Sequence, residues 1–301
     1  MVDEEKNLWW RKLGFYTNPF TIKPAVFDNK VFGQDKILEE LYYKIPAGTM
    51  SFIEGPLGTG KTTMMKHIIS KFKGQGKVIF FSCNRIDSEL NMEELLRGKY
   101  GFWGKLFGMM PKDMIVLLDE AQQLSPANTE RIKYFFDQGH IKSAILTGTD
   151  YETANLHQSV KERIGNDGLF KVKELSDEEA IVLVRNRVGN SKIISDEVIR
   201  ELWKMSSKIP RRLLQRLDAV FKYSVENSEA EIKLDDLSRI FPIIKKPSVE
   251  KKEEKPKMEE THVKKEKKSS KKVRKEKKSE DEKPSEGKSQ EEVFKAMKNK
   301  K

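Results

Sequence analysis

One cysteine, Cys83, stands in 301 residues, which excludes an internal disulfide and with it the small stapled secreted scaffolds. The four histidines, His67, His140, His157 and His262, are scattered without metal-ligand spacing. No apolar run approaches the roughly 20 residues that cross a bilayer as a helix. The opening residues, MVDEEKNLWWRK, are acidic and contain no apolar signal core. These absences predict a cytoplasmic protein of a reduced compartment, with no membrane partner.

Acidic residues are outnumbered, 47 against 58 Lys and Arg, for a net charge of +11. The excess is unevenly placed, since residues 246–301 hold 21 basic and 13 acidic side chains and so carry +8 of that total. This stretch has almost nothing apolar to bury and reads as a disordered Lys/Glu-rich tail. Its charge either engages nucleic acid or another polyanion, or merely keeps the chain solvated. At its end Ser289 and Glu292 form a capping-box pattern ahead of Val293, Phe294 and Met297, either a partner-docking turn or a frayed end.

What is present begins with SFIEGPLGTGKTTMMKHI, residues 51–68. An apolar strand over 49–53 gives way to a helix over 62–72. Between them lies the phosphate-loop pattern G-x-x-x-x-G-K-[ST], comprising Gly55, Pro56, Leu57, Gly58, Thr59, Gly60, Lys61 and Thr62, with Thr63 after it. Glycine lets backbone N–H groups curl around an anion, and the helix N-terminus adds its dipole. Lys61 is expected to reach the β- and γ-phosphates of ATP, and the Thr62 hydroxyl to ligate Mg²⁺.

Residues 114–124, MIVLLDEAQQL, read as a buried parallel strand ending in two carboxylates. Ligands of open α/β sheets bind at such strand ends. Asp119 is expected to hold Mg²⁺ and Glu120 to polarise the attacking water. Ser125 and Pro126 start a helix. IKSAILTGTD is a further strand with Thr147 and Thr149 at its tip. VIFF (78–81) and LFKVKEL complete five candidate strands. After Leu175 the pattern is helical: Ser176 and Glu179 form a capping box, and Pro210 opens an apolar-striped helix. A basic, aromatic segment, RGKYGFWGKLFGMMPKDM (97–114), either stacks on DNA or packs its rings on the sheet. Trp9 and Trp10 are expected to pack against the domain.

With LGFYTNPF near the start, GPLGTGKTT, LLDEAQQLS, ERI and PRRLLQ, the chain resembles the AAA+ ATPases over about residues 13–241. The resemblance is nearest to the ExeA and TniB branch and more distant to the origin-recognition initiators. It implies an α/β fold, a P-loop module with a parallel five-stranded sheet and a C-terminal helical lid. The expected layout is an N-terminal aromatic segment (1–30), a nucleotide-binding domain (31–175), the lid (176–245) and the tail (246–301). By matching motif, Val31 and Phe32, within VFGQ, lie along the adenine. Thr149 resembles the sensor of the γ-phosphate, Arg163 the arginine finger and Arg211 the second sensor, with Arg212 as an alternative. ExeA continues into a membrane span and the initiators into a winged helix, where this chain has the Lys/Glu-rich run. The resemblance therefore implies the engine: ATP hydrolysis, self-association as a ring or filament, and DNA as partner. The alternative is a nucleotide-gated scaffold that binds an unidentified protein partner with little turnover.

Overall fold

The computed structural model describes residues 8–22, 30–75, 77–84, 90–100 and 110–242. The tail and residues 101–109 of the basic, aromatic segment lie outside these.

Five strands, β1 (Met50–Glu54), β2 (Val78–Ser82), β3 (Met114–Asp119), β4 (Ile141–Gly148) and β5 (Leu169–Lys171), form one sheet in the order β2-β3-β4-β1-β5. Every pairing is parallel. Parallel strands need crossovers, and the connections carry α3 (Lys61–Phe72), α4 (Met92–Arg97), α5 (Pro126–Asp137) and α6 (Gln158–Ile164), while α2 (Asp35–Ala47) precedes β1.

Strand alternation decides what covers each face. Val116, Leu118, Ala144 and Leu146 point one way and pack with Ile132 and Phe135 of α5 and Val160 and Ile164 of α6. Ile53, Ile115, Leu117 and Ile145 point the other way, onto Leu41 and Ile45 of α2 and Met64 and Ile68 of α3. With both faces covered, all six residues of β3 are buried, which is why its sequence runs apolar without alternation.

A separate apolar cluster belongs to four helices, α7 (Asp177–Val188), α8 (Asp196–Met205), α9 (Pro210–Glu226) and α10 (Leu234–Ile240). Local chemistry starts each of the first three. Ser176 and Glu179 close a reciprocal capping box on α7, Ser195 caps α8, and Pro210 takes the first position of α9. Trp203 of α8 and Phe221 of α9 are fully buried at the centre. The single-turn helix α1 (Trp9–Lys12) joins this cluster rather than the sheet: Trp9 stacks on Phe20 and leans on Phe221.

Candidate functional site

The loop Gly55–Gly60 leaves β1 at the carboxyl edge of the sheet and enters α3. Gly60, the residue before α3, has φ +104°, and Gly58 has φ +85°. Gly58 is needed twice over, because a Cβ there would lie 2.7 Å from Cβ of Arg211 in the lid. The loop and α9 thus meet backbone to backbone, the Arg211 N–H donating to the Gly58 carbonyl at 3.1 Å.

Lys61 is buried and folds back over the loop, donating to the carbonyls of Gly55 at 2.6 Å and Pro56 at 3.0 Å. Burial pushes its ammonium below the ordinary lysine value. The Asp119 and Glu120 carboxylates pull it back up, and Arg211 pushes it down again.

Parallel register aligns the tips of β3 and β4, with Leu118 opposite Leu146. At those tips Asp119 is held from two sides. Its Oδ2 accepts from the Thr62 hydroxyl at 2.7 Å and its Oδ1 from the Thr147 hydroxyl at 2.6 Å. The Thr147 oxygen also accepts from the Glu120 N–H at 3.1 Å, and Glu120 itself takes the left-handed conformation at φ 57°. A non-glycine residue at positive φ is strained, and the Thr147 bond helps hold it there.

A cleft of about 270 Å³ opens above these groups. Leu57, Gly58, Thr59, Gly60, Lys61, Thr62 and Thr63 line it with Asp119 and Glu120 at one end; Val31, Phe32, Leu175, Leu183 and Leu214 line it with Arg211 and Arg187. One end offers cations, hydroxyls and backbone N–H groups, the other an apolar wall. That division suits an anion joined to a flat hydrophobic group. The Thr62 hydroxyl and Asp119 carboxylate are hard oxygen donors of the kind Mg²⁺ accepts, with its remaining positions left to phosphate and water. Among the described residues no cluster of three or more His, Cys, Asp or Glu could hold a metal by itself.

Residues 48–180 match the family model described as "AAA domain". The solved structure of Cdc6p from Pyrobaculum aerophilum superposes with a TM-score of 0.58 at 12% identity, covering 74% of this chain and 69% of that one. The Aeropyrum pernix ORC1 protein in complex with DNA gives 0.57 at 14%, covering 74% and 68%. The family match covers less than half of the chain, and these solved structures share its α/β fold. By sequence, a stretch of 72 residues is 35% identical to the phosphate import ATP-binding protein PstB 3 of Synechocystis sp., covering 22% of this chain. The chain spans only 19% and 27% of the lengths of the curated relatives it matches.

The structure brings most of the sequence-expected site together. Val31 and Phe32 line the cleft, as does Arg211, whereas exposed Arg212 is not among the lining residues. Gly55 and Pro56 contribute as carbonyl partners of Lys61 rather than as cleft wall. Thr149 stands one residue past the end of β4, half-buried, and the hydroxyl that reaches Asp119 is that of Thr147. Arg163 does not line its own chain's cleft. It is about half exposed on α6, pairs with Asp137 at the end of α5 and sits over the Phe136 ring at 5.5 Å.

Sequence reasoning missed Thr21, Ile22, Leu175, Leu183, Arg187 and Leu214 as cleft residues. The leucines belong to apolar helical stripes that serve the lid core equally well, and only packing separates the two uses. Gln34 was placed as part of VFGQ, but its clamp was not visible: its side-chain amide donates to the Lys173 carbonyl at 2.7 Å and its oxygen accepts from the Lys173 N–H at 3.1 Å. That pairing ties the start of α2 to the segment leading into the lid.

Among the described residues no helix is long and apolar enough to cross a membrane.

Proposed function

We propose that the chain binds Mg²⁺–ATP in this cleft and hydrolyses it, using the cycle to drive or reset a conformational change, in association with DNA and as part of a ring or filament of the ExeA/TniB type. The observation that carries the reading is the pair of hydrogen bonds on Asp119, from Thr62 of the loop helix and Thr147 of β4, with Glu120 held beside them. An ordinary strand ending in an acidic turn has no reason to bind a P-loop hydroxyl.

The roles follow from position. The loop N–H groups from Gly55 to Gly60 and the α3 N-terminus cradle the phosphates, and Lys61 exchanges its loop carbonyls for β- and γ-phosphate oxygens. Thr62 and Asp119 hold Mg²⁺, which when bound neutralises phosphate charge. Glu120 orients the attacking water and accepts its proton. Val31 and Phe32 lie along the base. Arg211, carried by the lid and bonded to Gly58, senses the γ-phosphate from above, and Thr149 senses it from the strand side. Arg163 acts on a neighbouring protomer's nucleotide, in keeping with its position outside its own cleft; on engagement it exchanges Asp137 for that phosphate.

Two observations support a DNA partner: the +8 charge of residues 246–301, and the fold shared with an ORC1 protein solved in complex with DNA. ATP turnover measured with single-stranded DNA, duplex DNA and none tests the reading. Turnover stimulated by one of them is expected. Tight ATP binding with negligible turnover in all three would favour a nucleotide-gated scaffold that binds a protein partner.

A further inference from the structure

The wall at the apolar end of the cleft is not built by the α/β core alone. Thr21 and Ile22 line it beside Val31 and Phe32, and the segment that carries them is fastened to the lid. Phe20 is buried against Trp9 and lies 4.8 Å, ring to ring, from Phe221 of α9. Asn18 donates to Asp218 of the same helix at 2.5 Å, and its oxygen accepts from the Phe20 N–H at 2.8 Å. From α7, Arg187 donates to the carbonyls of Pro19 at 2.8 Å and Thr21 at 3.2 Å. Its neighbour Asn186 accepts from Lys30 at 3.4 Å, so consecutive α7 residues hold the strand of chain on either side of residues 23–29.

Arg187 is itself a cleft residue, and burial lowers the pKa of its guanidinium without discharging it. A planar fork can bond two carbonyls at once, whereas an ammonium acts as a point charge on a flexible stem. Half-burying a guanidinium beside this N-terminal segment carries a desolvation cost. The expense is intelligible if the position of that segment matters to the ligand.

We propose that Arg187 is a positioning residue for the nucleotide base: by gripping the Pro19 and Thr21 carbonyls it holds the segment 18–22 as a strap forming one wall of the base subsite, so that affinity for the base, and not for the phosphates, depends on the lid. This rests on the nucleotide reading of the cleft. It adds that the N-terminal strap moves with the lid and that purine affinity is set jointly by α7 and the strap. Phosphate contacts remain the work of the loop around Lys61.

The test is calorimetric titration of the full chain with Mg²⁺–ADP and, separately, with Mg²⁺–tripolyphosphate, which lacks base and ribose. Arg187→Met is expected to weaken ADP binding about tenfold or more while tripolyphosphate affinity stays within about twofold of wild type. Arg187→Lys should recover part of the ADP loss and carries the same comparison if the methionine variant fails to fold. Arg185→Met removes bonds to the Ser191 and Ile194 carbonyls and to Asp196 from the same helix, and should leave the ratio of the two affinities unchanged. Unchanged ADP affinity in Arg187→Met, or equal losses for both ligands, overturns the proposal. Wild type that binds tripolyphosphate as tightly as ADP overturns it too, leaving the phosphate site standing. Wild type that binds neither removes the nucleotide reading together with this inference.

Discussion

The Thr62 hydroxyl donates to Asp119 Oδ2 at 2.7 Å, across 57 positions of sequence and from the loop helix to the tip of β3. With Thr147 on the other carboxylate oxygen, Asp119 is buried yet fully engaged, at 4% exposure. A buried carboxylate without such partners would be costly. The two donors hold it correctly turned and next to the loop.

Asp119→Asn is therefore expected to weaken ATP binding about tenfold or more in the presence of Mg²⁺, and to change it little in EDTA. Fluorescent-nucleotide titrations under both conditions measure this. Equal effects with and without Mg²⁺ would argue that Asp119 is structural only.

Thr147 and Thr149 separate cleanly by substitution. Thr147→Val removes the partner of both Asp119 Oδ1 and the Glu120 N–H. It should cost about 1–3 kcal/mol of stability and slow turnover at least tenfold, with Thr147→Ser restoring both. Thr149→Ala should slow turnover while leaving the denaturation midpoint unchanged. Urea melts paired with turnover assays distinguish the two positions.

Lys61 gives a pH signature. Its folded pKa lies below the ordinary 10.5. Between the lowered value and 10.5 the unfolded chain holds a proton that the folded chain has shed, so folded stability rises with pH through that window. Nucleotide-free wild type should thus gain stability relative to Lys61→Met as pH approaches 10.5, as read by chemical denaturation. A parallel pH dependence of the two proteins would contradict the assigned burial cost.

Cys83 follows β2, its N–H donating to the Asp119 carbonyl at 2.9 Å. Burial, with smaller contributions from Asp119 and Glu120, pushes its thiol from 9.0 up to about 12. A shift of that size cuts the thiolate at pH 8 by about 10³. Thiol labelling at pH 8 should be at least about a hundredfold slower in the native protein than in urea. Labelling at the free-thiol rate would mean that this corner of the site is open to water.

Features written in neighbouring residues were legible in the sequence. The loop pattern, the apolar run of β3, the Ser125–Pro126 helix start and the Ser176–Glu179 capping box each depend on spacing within a few positions, and each lies where the sequence places it. The five strands were legible as apolar runs, but not their order, which depends on how crossovers pack. Helix α2 carries Ile37, Leu38, Leu41 and Ile45 at helical spacing and tolerates Pro46 in its last turn, although sequence reasoning did not single it out. The ion-pair partner of Arg163 is Asp137 on another helix, which its local sequence does not disclose. Arg187 could not have been recognised, since nothing in VLVRNRVGN says that one arginine holds Pro19 and the other Asp196. Tertiary partners of long side chains leave no local trace.

Binding and turnover of ATP by wild type, Glu120→Gln and Lys61→Ala, measured side by side, bear most directly on the proposed hydrolytic cycle. Glu120→Gln removes the proton acceptor and leaves the phosphate cradle intact, so it should hold ATP with wild-type affinity while turnover falls about a hundredfold or more. Lys61→Ala should lose affinity itself, because the phosphate-facing charge is gone. A Glu120→Gln protein that hydrolyses ATP at the wild-type rate would contradict the assignment of Glu120, and with it the reading of this cleft as a hydrolytic site.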